Sequence, residues 1–307
     1  MAKRPTGTSA QPALPGTGPL LPESHPDYLV VRPIADAIVA AAGDVSKLKE
    51  LLSDVLRGAI DGVIKTPKTG RCLYADLQNS EKTYIGTCVE IDLRAALEIR
   101  RGAILDLNIG GTEVDVKFSA TTAWMIPPEA FGRTCVLISA NDSTARMSFG
   151  VFVARPEYLS APNRDKKRGV NANGRANVHW IFADQPYAPN FWQSVPQSAA
   201  AQIADGTSGN MRMATLFREA LDRPIPRKVV EDVARQKDFM RRLRADGDHG
   251  TRNMLAREGI LVLSGVWRRD VQLIRRLGLQ EISRNEFLSH RLTAHQLPVA
   301  RAARYPV

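Results

Sequence analysis

The chain has 307 residues, of which 44% are hydrophobic and 24% are charged, and its formal net charge is +10. This length and composition allow a sizeable buried core, in one large domain or two ordinary ones. A sequence pI near 9.8 favours a polyanionic partner, although a merely soluble basic protein has the same balance of charge.

Cysteines and apolar runs exclude several classes of protein. The three cysteines are widely spaced, no Cys-x-x-Cys occurs and only five histidines are present, so neither a zinc site nor a disulfide framework is expected. No apolar stretch of a signal peptide follows Lys3 and Arg4, and no run approaches the ~18 apolar residues of a transmembrane helix. We therefore expect a cytoplasmic protein.

The N-terminal half predicts an α/β order of elements. Residues 1–26 are rich in Pro, Gly, Ser and Thr, which is typical of a disordered arm. Asp44 is a suitable N-cap for an amphipathic helix that ends near residues 66–70. Strand patterns follow at 104–109, 112–118, 134–140 and 147–154, so a helix followed by several strands indicates an α/β fold.

Two carboxylates and a lysine form the first candidate site. In residues 111–119 apolar and charged side chains alternate, which predicts a half-buried strand with Asp115 and Lys117 on one face. A hairpin through the glycines at 110–111 would bring Asp106 towards Asp115. The carboxylates can hold a hard divalent cation, and the ammonium can face the water that attacks a phosphodiester. An ordinary amphipathic strand with a surface ion pair has the same pattern.

A second Asp-x-Lys lies at residues 165–167, in a charged run with no strand pattern. We interpret this run as a loop, so its context favours the first copy as the catalytic one. The loop's basic residues are candidates for phosphate contacts, although a solvated surface loop is the alternative. These residues are Arg164, Lys166, Lys167 and Arg168.

The C-terminal third carries most of the net positive charge. From residue 211 onward there are 20 Lys and Arg against 11 Asp and Glu, so nine of the ten excess charges lie there. Short helices at 227–235 and 238–244, a strand at 259–264 and a following basic helix fit a winged helix-turn-helix. The arginines are candidates for DNA contacts, mostly to phosphates, or for a solvated helix face. In the second helix they are Arg241, Arg242 and Arg244, and the last helix carries Arg268, Arg269, Arg275 and Arg276.

Composition gives the predicted domain boundaries. Prolines and a Gly-rich turn break the pattern between about 182 and 210, which indicates a linker. We predict an arm at 1–26, a catalytic domain at 27–181, a linker at 182–198 and a DNA-binding domain at 199–307.

The chain resembles the NaeI-type restriction endonucleases in colinear blocks over roughly residues 45–280. The blocks are Glu81–Asp92, Val114–Ser119, Ala123–Glu129, Asn163–Asp165, Asp238–Arg244 and Arg257–Leu263. The resemblance implies the mixed sheet of the PD-(D/E)xK nucleases, flanked by helices and followed by a mainly helical winged helix-turn-helix domain. It also implies a catalytic set of Glu90, Asp106, Asp115 and Lys117, in which the three acids hold Mg²⁺.

The resemblance further implies an activity and its partners. We expect a homodimeric type II enzyme that cuts both strands of DNA at a short GC-rich palindrome, alongside a cognate DNA methyltransferase. A second DNA copy could act as an allosteric effector. Two alternatives are a repair-type nicking endonuclease and a non-catalytic DNA-binding regulator. The intact carboxylate–lysine set counts against the regulator, because a binder has no need of acids facing phosphates.

Overall fold

The computed structural model describes residues 20–236, 238–243, 250–305 and 307. The chain divides into two compact units. The first unit holds the described residues up to Val63 together with Gln78–Pro189, and the second holds Ile64–Leu77 and the part from Asn190 onward. Across the described ranges, no helix is both long and apolar enough to cross a membrane.

In the first unit, helices precede strands along the chain. The short helix α3 interrupts this order, because it belongs to the second unit. In chain order the elements are α1 (Tyr28–Ala42), α2 (Val45–Ile64), α3 (Thr66–Thr69), α4 (Asn79–Ala96), β1 (Leu107–Ile109), β2 (Thr112–Ser119), β3 (Met125–Ile126), β4 (Thr134–Asn141), β5 (Arg146–Val153), β6 (Leu159–Pro162), β7 (Arg168–Val170), α5 (Ala172–Ala176) and β8 (His179–Pro186).

The long helix α2 follows directly from its sequence. The Asp44 carboxylate accepts the Lys47 backbone N–H at 2.8 Å, which is the predicted N-cap. Leu48, Leu52 and Leu56 recur every four residues and are fully buried, so they form one apolar stripe. Burying each leucine stabilises the fold by roughly 1.5–3 kcal/mol. The predicted helix is confirmed.

In the described chain five strands form the main sheet, in the order β1-β2-β4-β5-β8. β2 and β4 run parallel while the other neighbours are antiparallel, so the sheet is mixed, which confirms the α/β prediction. A core on the sheet includes the buried Trp124, Leu137 and Phe152, and the Trp124 indole N–H donates to the Ile138 carbonyl at 2.7 Å. Helix α1 packs against β5 and β8, and α4 packs along β2.

The second unit combines helices with a small sheet. Beyond α3, its elements are α6 (Gln197–Asp205), α7 (Gly209–Glu219), β9 (Pro224–Pro226), α8 (Arg227–Ala234), α9 (Phe239–Leu243), α10 (Thr251–Ala256), β10 (Ile260–Ser264), α11 (Arg268–Arg276), β11 (Glu286–Arg291) and α12 (Leu297–Ala302).

Antiparallel pairing joins three described strands of this unit in the order β10-β11-β9. Ile260 and Val262 enter one hydrophobic core, while Leu261 and Leu263 enter another. Both faces of β10 are therefore covered, which explains its continuous apolar run.

Two predicted boundaries, those of the arm and of the linker, lie near described features of the structure. Residues 1–19 of the predicted arm lie outside the described residues, but the part from residue 20 is anchored: Leu21 is buried, and its N–H donates to His179 Nδ1 at 3.3 Å. The boundary between the two units falls after Pro189, within the predicted linker at 182–198. Strand β8 continues to Pro186, while Phe191 and Trp192 are buried in the core of the second unit.

Candidate functional site

A tight hairpin positions the first two acidic side chains. The turn between β1 and β2 uses Gly110 and Gly111, with φ of 58° and 87°, a conformation in which only glycine is free of steric strain. Leu107 pairs with Val114, so one step outward on each strand brings residue 106 opposite residue 115. The hairpin predicted from the sequence is confirmed, although the strand before the turn begins at 107 and not at 104.

Asp106, Asp115 and Lys117 meet beside this hairpin. The Lys117 Nζ lies 2.8 Å from Asp115 Oδ1 and 3.8 Å from Asp106 Oδ2, and it also donates to the Val116 carbonyl at 2.9 Å. Asp106 Oδ2 accepts the Val116 N–H at 2.7 Å. Strand β1 begins only at Leu107, so the Val116 N–H on β2 is bound by the Asp106 side chain and not by a backbone carbonyl of β1.

Glu90 approaches the same group from helix α4. The helix begins at a capping box, in which the Glu81 carboxylate accepts the Gln78 N–H at 2.9 Å. Burial raises the pKa of Glu90, and the neighbouring Asp106 carboxylate, with which it shares a hydrogen bond, raises it further. Lys117 acts in the opposite direction. The structure therefore brings together all four residues of the catalytic set that the resemblance implies.

Burial dominates the electrostatics at Asp115. It raises the pKa of Asp115 to about 6, with a further contribution from Asp106, while Lys117 opposes the shift. Burial lowers the pKa of Lys117, but the carboxylates of Asp115 and Asp106 outweigh it, and the net pKa is raised. Asp115 Oδ2 is buried and has no hydrogen-bond partner among the described groups. This oxygen is an acceptor that a cation would satisfy.

The sequence analysis did not identify Cys135, which lies beside Asp115 on the neighbouring strand β4. It pairs with Asp115 across the parallel β2–β4 ladder and is fully buried. Burial, followed by the charge of Asp115, raises the pKa of its thiol well above the ordinary value, so the thiol stays neutral. No local signal could have identified it, because parallel pairing joins segments that are distant in sequence.

The acids are close to one another but are not yet arranged as a complete metal-ligand set. Within the part of the chain that the structure describes, no three Asp, Glu, His or Cys side chains are already gathered as a cation site. Instead, the ammonium of Lys117 lies within ion-pair distance of both the Asp106 and the Asp115 carboxylates.

The basic run 164–168 lies in the hairpin between β6 and β7. Arg164, Lys166 and Lys167 are exposed at its tip, and Lys166 has a φ of 59°. Arg168 differs, because its guanidinium donates to three backbone carbonyls of the preceding segment at 2.6, 3.3 and 3.3 Å. Arg164 pairs with Asp165 at 3.4 Å. The tip thus presents exposed cationic side chains, whereas Arg168 holds the hairpin together. The second Asp-x-Lys copy is thus part of a turn, as its composition indicated.

The arginines of the C-terminal helices belong to the second unit. Arg241 is exposed on α9, Arg242 lies in the same helix, and Arg244 is outside the described residues. Helix α11 presents a cationic face beside a hollow of about 360 Å³. The polar side chains that line this hollow are Arg269, Gln272, Arg275 and Arg276.

Comparison with known proteins gives the class and then the family. A relative from Lentzea aerocolonigenes, the type II restriction enzyme NaeI, is 36% identical over 233 residues, which cover 73% of each chain. The protein is thus a restriction endonuclease, an enzyme that hydrolyses phosphodiester bonds of DNA. The profile of the family described as restriction endonuclease NaeI matches residues 38–301. The chain belongs to the NaeI restriction endonuclease family.

Proposed function

We propose that this endonuclease cuts both strands of double-stranded DNA at a short GC-rich palindrome, with Glu90, Asp106, Asp115 and Lys117 as its catalytic centre. The observation that carries the proposal is the buried, unpartnered Asp115 Oδ2, which lies in one group with a second carboxylate and a lysine. Burying an acceptor without a donor costs free energy of folding, and a protein that only binds DNA would gain nothing from it. It is useful where a cation and a phosphate must be held.

The residues fit Mg²⁺. Their donor set consists of carboxylate oxygens alone, which are the ligands that a small hard cation prefers. Asp106 and Asp115 would hold the ion, with Glu90 directly or through water. When bound, the ion supplies Lewis-acid polarisation of the scissile phosphate. Burial, and after it the neighbouring Asp106 carboxylate, raises the pKa of Glu90 and of Asp115, and a bound cation would offset both effects.

The protein's own groups then do the remaining chemistry. Lys117 stays protonated because Asp115 and Asp106 raise its pKa, so its ammonium orients the attacking water by hydrogen bonding. The same charge offsets the negative charge that builds on the phosphoryl oxygens. Hydrolysis by water needs no covalent protein–DNA intermediate.

The second unit supplies DNA binding in this proposal, as a winged helix-turn-helix. Its support is the order of elements, which runs α7, β9, α8, α9, α10, β10, α11 and β11, with β11 between the other two strands in the sheet. Helix α11 stands in the connection between β10 and β11, where a wing would be. Phosphate contacts are assigned to Arg241, Arg242 and Arg244, and to the arginines of α11.

The first unit contributes phosphate contacts from the β6–β7 hairpin. The side chains of Lys166 and Lys167 are exposed and can reach a DNA backbone, as can that of Arg164 once it leaves its exposed pair with Asp165, while Arg168 keeps the hairpin in shape. Contacts of this kind position the duplex without reading its sequence.

A palindrome that is cut symmetrically needs one centre on each strand, which a homodimer with two-fold symmetry provides. We further propose that the second unit binds another copy of the site as an allosteric effector. A cognate methyltransferase in the same cytoplasm would protect the host DNA.

The test is cleavage of unmethylated plasmid DNA in Mg²⁺ or EDTA, by the native protein and by Lys117→Ala. We expect discrete Mg²⁺-dependent double-strand fragments, and a loss of at least about 100-fold in the variant, the usual effect of removing one charge-stabilising donor. Lys49→Ala is the matched control, since Lys49 also donates to a side chain in this unit, that of Gln185. Full cleavage by Lys117→Ala would refute the proposed centre, and nicks alone would favour the repair-type reading.

A further inference from the structure

We propose that Glu113 is a positioning residue of the nuclease centre, which holds the loop 103–105 in place and thereby fixes the carboxylate of Asp106. The inference rests on the proposed function, because Asp106 is assigned there as a cation ligand. Glu113 itself lies two residues before Asp115 on β2 and is assigned no part in the chemistry.

The Glu113 carboxylate gathers three consecutive backbone donors. One oxygen accepts the N–H groups of Ala103 and Ile104, the latter at 3.0 Å. The other oxygen accepts those of Ile104 and Leu105, both at 3.1 Å. Charge-assisted hydrogen bonds of this kind are roughly twice as strong as neutral ones. We call this arrangement the Glu113 clamp.

The loop needs such a clamp because it lies outside the β ladder. Strand β1 begins only at Leu107, so the amides of 103–105 have no strand partner. The loop is also tightly turned, since a Cβ at Gly102 would lie 2.4 Å from the Leu105 carbonyl oxygen. A backbone bent in this way keeps its shape only when its N–H groups are satisfied.

The clamp ends one residue before Asp106, whose carboxylate accepts the Val116 N–H at 2.7 Å. Both anchors of this segment therefore come from β2, the strand that also carries Asp115 and Lys117. The relative positions of the two carboxylates and the lysine are thus set by a single strand. A displacement of about 1 Å at a reacting group can cost about 100-fold in rate, so loosening the loop should be felt at the centre.

Besides these backbone N–H groups, the charged side chain of Arg133 faces Glu113, with its Nη1 at 3.8 Å from a carboxylate oxygen. This pair is long and its arginine is 44% exposed, so it is a weak interaction. If Glu113 acted through Arg133, removing that arginine would have the same effect as removing the carboxylate. The clamp predicts that it does not.

The test uses the full chain carrying Glu113→Gln, which preserves size but points an NH₂ group at backbone donors. In the metal-free protein we expect faster hydrogen–deuterium exchange at the amides of 103–105, with unchanged exchange in β4 and β5. In Mg²⁺ we expect kcat for cleavage to fall about 10- to 100-fold with KM for DNA unchanged. Arg133→Ala and the exposed Glu129→Gln are the controls, and both should behave as the native protein.

Each result decides between the clamp and its rivals. Native exchange at 103–105 in Glu113→Gln, or an equal loss of kcat in Arg133→Ala, would overturn the inference. The Lys117→Ala result separates this failure from failure of the proposed function, because it is independent of the loop. If Glu113→Gln does not fold, Glu113→Asp is measured, whose shorter side chain cannot span the three amides. The same changes are expected in it, and native behaviour would again refute the clamp.

Discussion

Asp115 carries a conflict between stability and the proposed chemistry. Its carboxylate is 3% exposed, one oxygen has no partner among the described groups, and burial raises its pKa to about 6. Above that pH the folded protein holds a charge that the unfolded chain would solvate better. Sites of this kind are retained for function at a cost in stability.

We predict that Asp115→Asn stabilises the metal-free protein while abolishing cleavage. The pKa of this carboxyl is raised from 3.8 in the unfolded chain to about 6 in the fold. Its destabilisation is therefore absent below pH 3.8, grows between pH 3.8 and about 6, and is complete above. At pH 8 the variant should gain about 1–3 kcal/mol in the free energy of unfolding, since one pKa unit corresponds to ~1.4 kcal/mol.

Denaturant unfolding in EDTA from pH 4 to pH 8 measures this effect. The gain over the native protein should shrink as the pH falls through about 6, because a protonated Asp115 resembles asparagine. A gain that is independent of pH, or a loss of stability at pH 8, would show that the ionised Asp115 is not a strained charge.

At the scale of elements, the β6–β7 hairpin combines a fixed base with a free tip. Arg168 satisfies three carbonyls and stacks over the Phe131 ring, 5.7 Å from its centroid. The tip residues Lys166 and Lys167 are exposed. A hairpin with a fixed base and exposed cationic side chains at its tip suits a phosphate backbone, because it gives position without sequence readout.

We predict that Lys166→Ala/Lys167→Ala weakens DNA binding equally for all sequences. Each phosphate contact contributes about −0.9 to the slope of log K against log salt, so the double variant should lower the slope by up to ~2. Binding is measured by fluorescence anisotropy in EDTA across a salt series. Arg32→Ala/Arg146→Ala is the control, because it removes the same charge from arginines paired with Asp36 and Asp184. Equal slopes for both double variants would rule out hairpin contacts.

At the scale of the whole molecule, charge and catalysis are divided along the chain. The carboxylate–lysine group lies in the first unit, whereas nine of the ten excess positive charges lie beyond residue 210. A polyanion is thus attracted mainly by the part of the chain that does not carry the proposed centre. This division fits an enzyme in which DNA binding and DNA cleavage are separate tasks.

We predict that the native protein sediments at twice its monomer mass of 33.7 kDa. Two-fold symmetry is the simplest way to present one centre to each strand of a palindrome. Analytical ultracentrifugation in EDTA, over a range of protein concentrations, measures this mass. A monomer at every concentration, both without DNA and when bound to it, would contradict the symmetric mechanism even if the fragments had double-strand ends.

The sequence by itself determined the local elements and the residues of the candidate site. Helix α2 was predictable because its cap and apolar spacing are local, and the β1–β2 hairpin because two glycines allow the turn. That hairpin was also enough to place Asp106 near Asp115, since a short antiparallel register follows from its turn.

Only the tertiary structure decided what surrounds those residues. The parallel pairing that puts Cys135 beside Asp115 joins segments that no local pattern connects. The Glu113 clamp depends on a strand that begins only at residue 107. Arg168 belongs to the same basic run as Lys166 and Lys167, but its guanidinium is bound by backbone carbonyls, whereas theirs are exposed ammonium groups. Charge and spacing are properties of the sequence, whereas burial and hydrogen-bond partners depend on contacts between distant segments.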